Sequence, residues 1–144
     1  MRFRSSKILV VASILAACGC GSEPPPIVPD SALSRKALDA AMSAWKQGRP
    51  TGQIESTSPR IQVIDAHRVP GQTLERYEVL SDTASPRART FSVRLHMKNP
   101  DERVMERFLV VGLDPVLIFR QKDFDLIMHW EHKMEPETLD PPEK

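Results

Sequence analysis

The sequence predicts an α+β domain in which one N-terminal amphipathic helix packs on a curved antiparallel sheet of about five strands. Three observations predict it. Apolar residues between 31 and 47 recur at three- and four-residue steps. From residue 61 to 119 the period changes to two, and Gly, Pro, Asn and Asp residues punctuate the alternating runs. A helix followed by consecutive strands is the pattern in which the helix covers one sheet face. A small open β-barrel with a peripheral helix is the alternative architecture.

The chain begins with an address. Met1 to Lys7 is short and basic, and Ile8 to Ala17 is an uncharged run of ten residues rich in Ile, Leu, Val and Ala. A bilayer span needs about 20 apolar residues, so residues 1–17 read as an export signal and not as a membrane helix. Leu15-Ala16-Ala17-Cys18 follows. These residues resemble the lipobox of bacterial lipoproteins, and the alternative is an ordinary secretory signal with an incidental cysteine. The resemblance implies a diacylglyceryl group on the Cys18 thiol, acyl chains such as palmitate, and cleavage just before Cys18. Two or more acyl chains give stable anchoring where one does not. In that family an Asp after the cysteine often retains the protein at the inner membrane, so Gly19 favours the outer membrane. Cys20 is assigned no role. With no further cysteine in the chain, a disulfide framework and a Cys-rich zinc site are excluded.

Residues 18–30 form a tether, because Pro24, Pro25, Pro26 and Pro29 keep the backbone extended. Asp30 or Ser31 is suited to cap the helix that follows. Leu33, Ala37, Leu38, Ala41, Met42, Ala44 and Trp45 make its apolar stripe, Trp45 as a core anchor. Gly48 suits a left-handed C-cap and Pro50 prevents continuation. Residues 51–60 read as a loop and Ile61 to Ile64 as a short strand ending near Asp65. Val69 to Gln72 is a turn, Thr73 to Leu80 a strand and Ser81 to Arg87 a polar loop. Phe91, Val93, Leu95 and Met97 alternate with polar residues, giving a strand with one apolar and one solvated face. Asn99 to Glu102 turns the chain, Val104 to Val111 returns antiparallel, and Val116 to Phe119 is a wholly apolar strand after a turn at Pro115. Residues 121–134 carry apolar residues at both helical and strand spacing. They are expected to pack on the domain of residues 31–134 or to contact a partner. The Pro-rich residues 135–144 are expected to be disordered.

The helix ending Ala44-Trp45-Lys46-Gln47-Gly48, the strand at residues 61–65, Gly71 to Tyr77 and the closing strands around Gly112 and Pro115 are similar to small uncharacterised lipoproteins of Planctomycetes. They also resemble the cystatin-like or NTF2-like arrangement of a helix cradled by a curved sheet. His67-Arg68-Val69 departs from the Trp expected there. The resemblance implies the fold and no activity.

Chemistry is sparse. The formal charge is +1, and without Arg2, Arg4 and Lys7 it falls near −2, which offers no concentrated basic face for nucleic acid. Asp123, Asp125, His129, Glu131 and His132 make the one suggestive cluster. His129 and His132 could share a helix face and bind a metal with a carboxylate, although the Glu-containing helical zinc motif is missing. No nucleophile elbow, phosphate loop or isolated acid–base pair is present. No cofactor is implied. The arginines at 60, 68, 76, 87, 89 and 94 read as a solvated surface. The expected function is a membrane-anchored, non-catalytic lipoprotein of the cell envelope. Its partners would be the bilayer, through Cys18, and an unidentified envelope protein that it binds or scaffolds. One alternative is a small-molecule-binding or enzymatic domain with a pocket of roughly a few hundred Å³; another is a metal-binding protein using residues 129–132.

Overall fold

The computed structural model describes residues 27–131, with side chains as far as His129. The signal at 1–17, Cys18, most of the tether, His132 and the tail at 135–144 lie outside the described residues. In chain order the elements are α1 (Ser31–Lys46), β1 (Gly52–Ile54), β2 (Ile61–Ile64), β3 (Thr73–Ala84), β4 (Arg89–Lys98), β5 (Glu102–Val111), β6 (Val116–Arg120) and α2 (Gln121–Glu131).

Asp30 caps α1, its Oδ1 accepting from the Leu33 N–H at 2.7 Å. Gly48 takes φ +72°, and the N–H groups of Gly48 and Arg49 close the helix onto the Trp45 and Ala44 carbonyls. The stripe Ala37, Leu38, Ala41, Met42, Ala44 and Trp45 is buried throughout. It meets Ile61, Val63, Leu74, Phe91, Val93, Leu95, Met97, Phe108, Val110, Val116 and Ile118 from one face of the sheet. The three alanines let the helix approach the strands closely.

The sheet has six strands, in the order β1-β2-β6-β5-β4-β3, and is open, with β1 and β3 at its edges. It is mixed, not antiparallel, because β2 pairs parallel with β6, Ile61 beside Val116 and Ile64 beside Phe119. The expected barrel alternative and the count of five strands are both corrected. Two local readings change as well. Residues 52–54 of the expected loop pair with β2 as β1, and β3 runs on to Ala84 through two bulges, using residues expected to be loop.

A second helix is the larger correction. α2 packs on the face opposite α1, where Phe124 meets Phe119 edge-on with centroids 5.6 Å apart. Ala88, Leu109, Phe119, Ile64, Val111 and Leu117 complete this smaller core. Solvation of the second face therefore holds for β4 but not for β6. Leu126 and Ile127 on α2 stay exposed.

Two poles follow from the connectivity. The chain enters beside the β5–β6 turn, where the Gly112 N–H donates to the Ile27 carbonyl at 2.9 Å. It then passes the start of β4, where Arg89 Nε donates to the Pro29 carbonyl at 3.4 Å. This is the proximal pole. α1 ends at the opposite, distal pole. There the connector from β2 to β3 must cross β6, β5 and β4, about 19 Å at about 4.8 Å per strand. That crossing brings His67, Arg68 and Val69 over the end of α1.

Candidate functional site

Three adjacent strands turn a charged residue to the helix-facing side, β2 and β6 at or just past their distal ends and β5 near its middle. Asp65 follows Ile61 and Val63, Arg120 follows Val116 and Ile118, and Glu106 precedes Phe108 and Val110. Each shares the inward parity of its apolar neighbours. Arg120 forks onto Asp65, Nε to Oδ1 at 2.7 Å and Nη2 to Oδ2 at 2.9 Å, while Nη1 reaches Glu106 Oε1 at 2.9 Å. Arg68 Nε adds a fourth contact, to Asp65 Oδ2 at 3.3 Å, and its Nη1 donates to the Arg49 carbonyl past the end of α1. A cation there complements the negative end of the helix.

Trp45 is the floor of this network. The Arg68 guanidinium lies 4.3 Å from its ring centroid and that of Arg120 lies 5.7 Å away. Burial lowers the Arg68 pKa from its ordinary value, against the attraction of Asp65. No buried side-chain polar atom among the described residues lacks a partner.

Beside the network opens a cleft of about 210 Å³. Its apolar wall is Trp45, Leu95, Met97 and Val104, and its rim carries His67, Gln72, Glu102 and Lys122. The side chains at the cleft include no hydroxyl or thiol nucleophile. His67 Nδ1 lies 3.3 Å from Asp123 Oδ1, and Asp123 Oδ2 accepts from the Ala66 N–H at 3.3 Å. A histidine oriented by a buried carboxylate is the geometry of a general base, but among the described residues no side-chain nucleophile lines the cleft beside it. The pair holds the crossing connector against the first turn of α2.

Asp65, His67 and Asp123 also bring one potential ligand atom each within 4.8 Å of one another. The donor set does not suit a dication. Both Asp65 oxygens are committed to guanidinium N–H groups, and Oδ1 also accepts from the His67 N–H. A metal there would face Arg68 and Arg120 directly.

Comparison with protein-family models, with curated proteins and with solved structures finds no match. The site therefore speaks only through its own residues. Of those singled out in the sequence, Asp123 is drawn into the distal network, whereas Asp125 and His129 are exposed on α2 and join no cluster of metal-binding type among the described residues. Cys18 and His132 fall outside the described residues. Trp45 is a core residue as expected and also the platform for two arginines. Asp65, Glu106 and Arg120 were missed, although a charged residue at inward parity beside an apolar run is a readable signal. Arg68, expected on a solvated surface, is instead largely buried on Trp45 and Asp65 because the connector crosses over the end of α1. Among the described residues no helix is long and apolar enough to cross a membrane.

Proposed function

We propose that this chain is an envelope lipoprotein, anchored through acyl groups on Cys18, with a cystatin-like or NTF2-like domain that binds a partner protein at its distal pole without catalysis. What carries the reading is the placement of the cleft at the pole opposite the tether. An anchor on residue 18 would leave the Trp45–Arg68 platform turned away from its attachment point. Trp and Arg are the residue types that dominate binding hot spots. At the distal pole the cleft volume favours an inserted side chain over a small-molecule ligand. Pockets for drug-sized ligands run to about 300–1,000 Å³, whereas about 210 Å³ suits one inserted side chain.

Two measurements on the intact cell envelope test it. Cys18→Ala should move the protein from the membrane to the soluble fraction, and an unchanged distribution would remove the anchor from the reading. A photo-cross-linking residue at exposed Val69, on the distal crossing, should give one discrete adduct. The same residue at exposed Leu113, in the proximal turn, should give none. Equal labelling from both positions, or no adduct from Val69, argues against a distal partner.

A further inference from the structure

α2 covers β5 and β6, but none of the described residues covers the second sheet face over β3, β4 and the distal half of β5. Register arranges that bare face in three cross-strand rows. Arg76, His96 and Arg103 lie abreast in one, Glu78, Arg94 and Met105 in the next, and Ser81, Ser92 and Arg107 in the third. Arg94 is matched by Glu78 at 2.7 Å and Lys98 by Glu75 at 2.8 Å. Arg76, Arg103 and Arg107 have no carboxylate partner among the described residues. The near-neutral charge of the whole chain conceals this concentration.

In the first row Arg76 and Arg103 flank His96 on either side, with Arg76 Nη2 3.3 Å from His96 Nδ1, so two guanidiniums share one imidazole neighbour. Partial burial and the guanidiniums of Arg76, Arg103 and Arg94 push the His96 imidazole below its ordinary value, against the weaker pull of Glu75. An anion lying across the row would meet a net positive field. Two details indicate which kind. Met105, 60% exposed, stands among Arg94, Arg103 and Arg107, so the face combines cations with a protruding apolar chain. None of these three rows carries a Phe, Tyr or Trp, so single-stranded nucleic acid would find no large stacking platform. Cations around an apolar tip suit a headgroup layer, where phosphates meet the first and the acyl boundary the second.

We propose that this bare face docks the domain sideways on an anionic phospholipid surface, Arg76, Arg103 and Arg107 meeting phosphates while Met105 enters the headgroup layer. The choice of a bilayer rests on the reading of Cys18 as the anchor. Residues 18–26 can reach about 27 Å when extended. They join the domain at the proximal ends of the strands that carry the face, so the tether allows it to lie flat. The distal cleft then opens parallel to the membrane.

The test uses residues 18–144 with Cys18→Ala, which keep the whole described domain and carry no lipid. Binding then reports the face alone, whatever fractionation shows for Cys18. The protein should sediment with phosphatidylglycerol–phosphatidylcholine vesicles at low salt, be released at high salt and ignore pure phosphatidylcholine. The triple variant Arg76→Gln, Arg103→Gln, Arg107→Gln should lower the partition coefficient about 100-fold. Its melting temperature should stay close to the parent's, because all three side chains are exposed and none pairs with a described carboxylate. Equal binding to both vesicle types, no binding to either, or a triple variant that binds like its parent overturns the proposal. Tighter binding to single-stranded DNA than to anionic vesicles at equal phosphate concentration overturns it also.

Discussion

The Asp65 side chain is fully shielded from solvent, so its charge is tolerated only in the company of Arg120 and Arg68. Asp65→Asn keeps the shape and removes the charge, leaving Arg120, itself buried, with Glu106 alone. Breaking a buried pair from one side costs about 3–5 kcal/mol. Urea unfolding of Asp65→Asn should therefore show a loss of about 3 kcal/mol, with the denaturant slope unchanged. Glu106→Gln, at the more open end of the same guanidinium, should cost only about 1 kcal/mol. Equal losses would mean that Asp65 is not the centre of the network. Each of these residues was readable by parity, since Arg120 stands two positions beyond Ile118 and Asp65 two beyond Val63. What parity alone could not give was their meeting. That depends on β2 lying beside β6, more than fifty residues away in the chain, and no local pattern encodes such a pairing. For Arg68 and His67 the connector's crossing decides the position, and a loop sequence does not reveal its path.

Turns fix how the strands meet, and Gly112 is the tightest case. It sits at φ +79° between β5 and β6, where an added Cβ would lie 2.7 Å from the Pro115 carbonyl oxygen. Backbone cannot yield as a flexible side chain would. Gly71 has almost the same φ, +80°, with nothing within 4 Å of its would-be Cβ. Gly71→Ala should then cost about 1 kcal/mol for the left-handed conformation alone. Gly112→Ala should cost about 2 kcal/mol more, through overpacking. Thermal melts of the two variants measure the difference directly, and similar melting points would deny the close approach. Most elements were legible in the sequence because their signals are local: the Asp30 cap, the 3.6-residue stripe of α1, and the alternation Phe91 to Met97. The second core was legible too, had the runs Phe108 to Val111 and Val116 to Phe119 been weighed. An unbroken apolar strand is buried on both faces, so something had to cover the far side. β1 was not legible, being three residues recruited into the sheet by β2.

At the scale of the molecule, α1 is bound to the sheet by its apolar stripe and also by polar links to the edge strand β3. Ser31 Oγ donates to Asp82 at 2.6 Å near the proximal pole, and the Tyr77 hydroxyl donates to Asp39 at 2.8 Å midway along the helix. Asp82 is held below the usual carboxylate range: burial alone would raise it, but hydrogen bonds from Ser31 and Arg89 outweigh that. Tyr77 goes the other way. Burial first, then the hydrogen bond to Asp39 and its negative charge, push the phenol up to about 12. In the unfolded chain it ionises near pH 10. Folding therefore favours the protonated phenol, and the stability this supplies is complete below about pH 10 and disappears as the pH climbs to about 12. Tyr77→Phe keeps the ring and deletes the titration. At pH 8 the variant should melt below the parent, having lost a hydrogen bond and left Asp39 to Arg35 alone, 3.1 Å away. Between pH 10 and 12 the parent alone must either ionise the phenol against its environment or unfold, so its advantage should shrink and then vanish. A melting-temperature gap that stays constant across that range would show that the phenol is not held neutral by Asp39. The hydroxyl's contribution to the stability of the fold would then be independent of its ionisation.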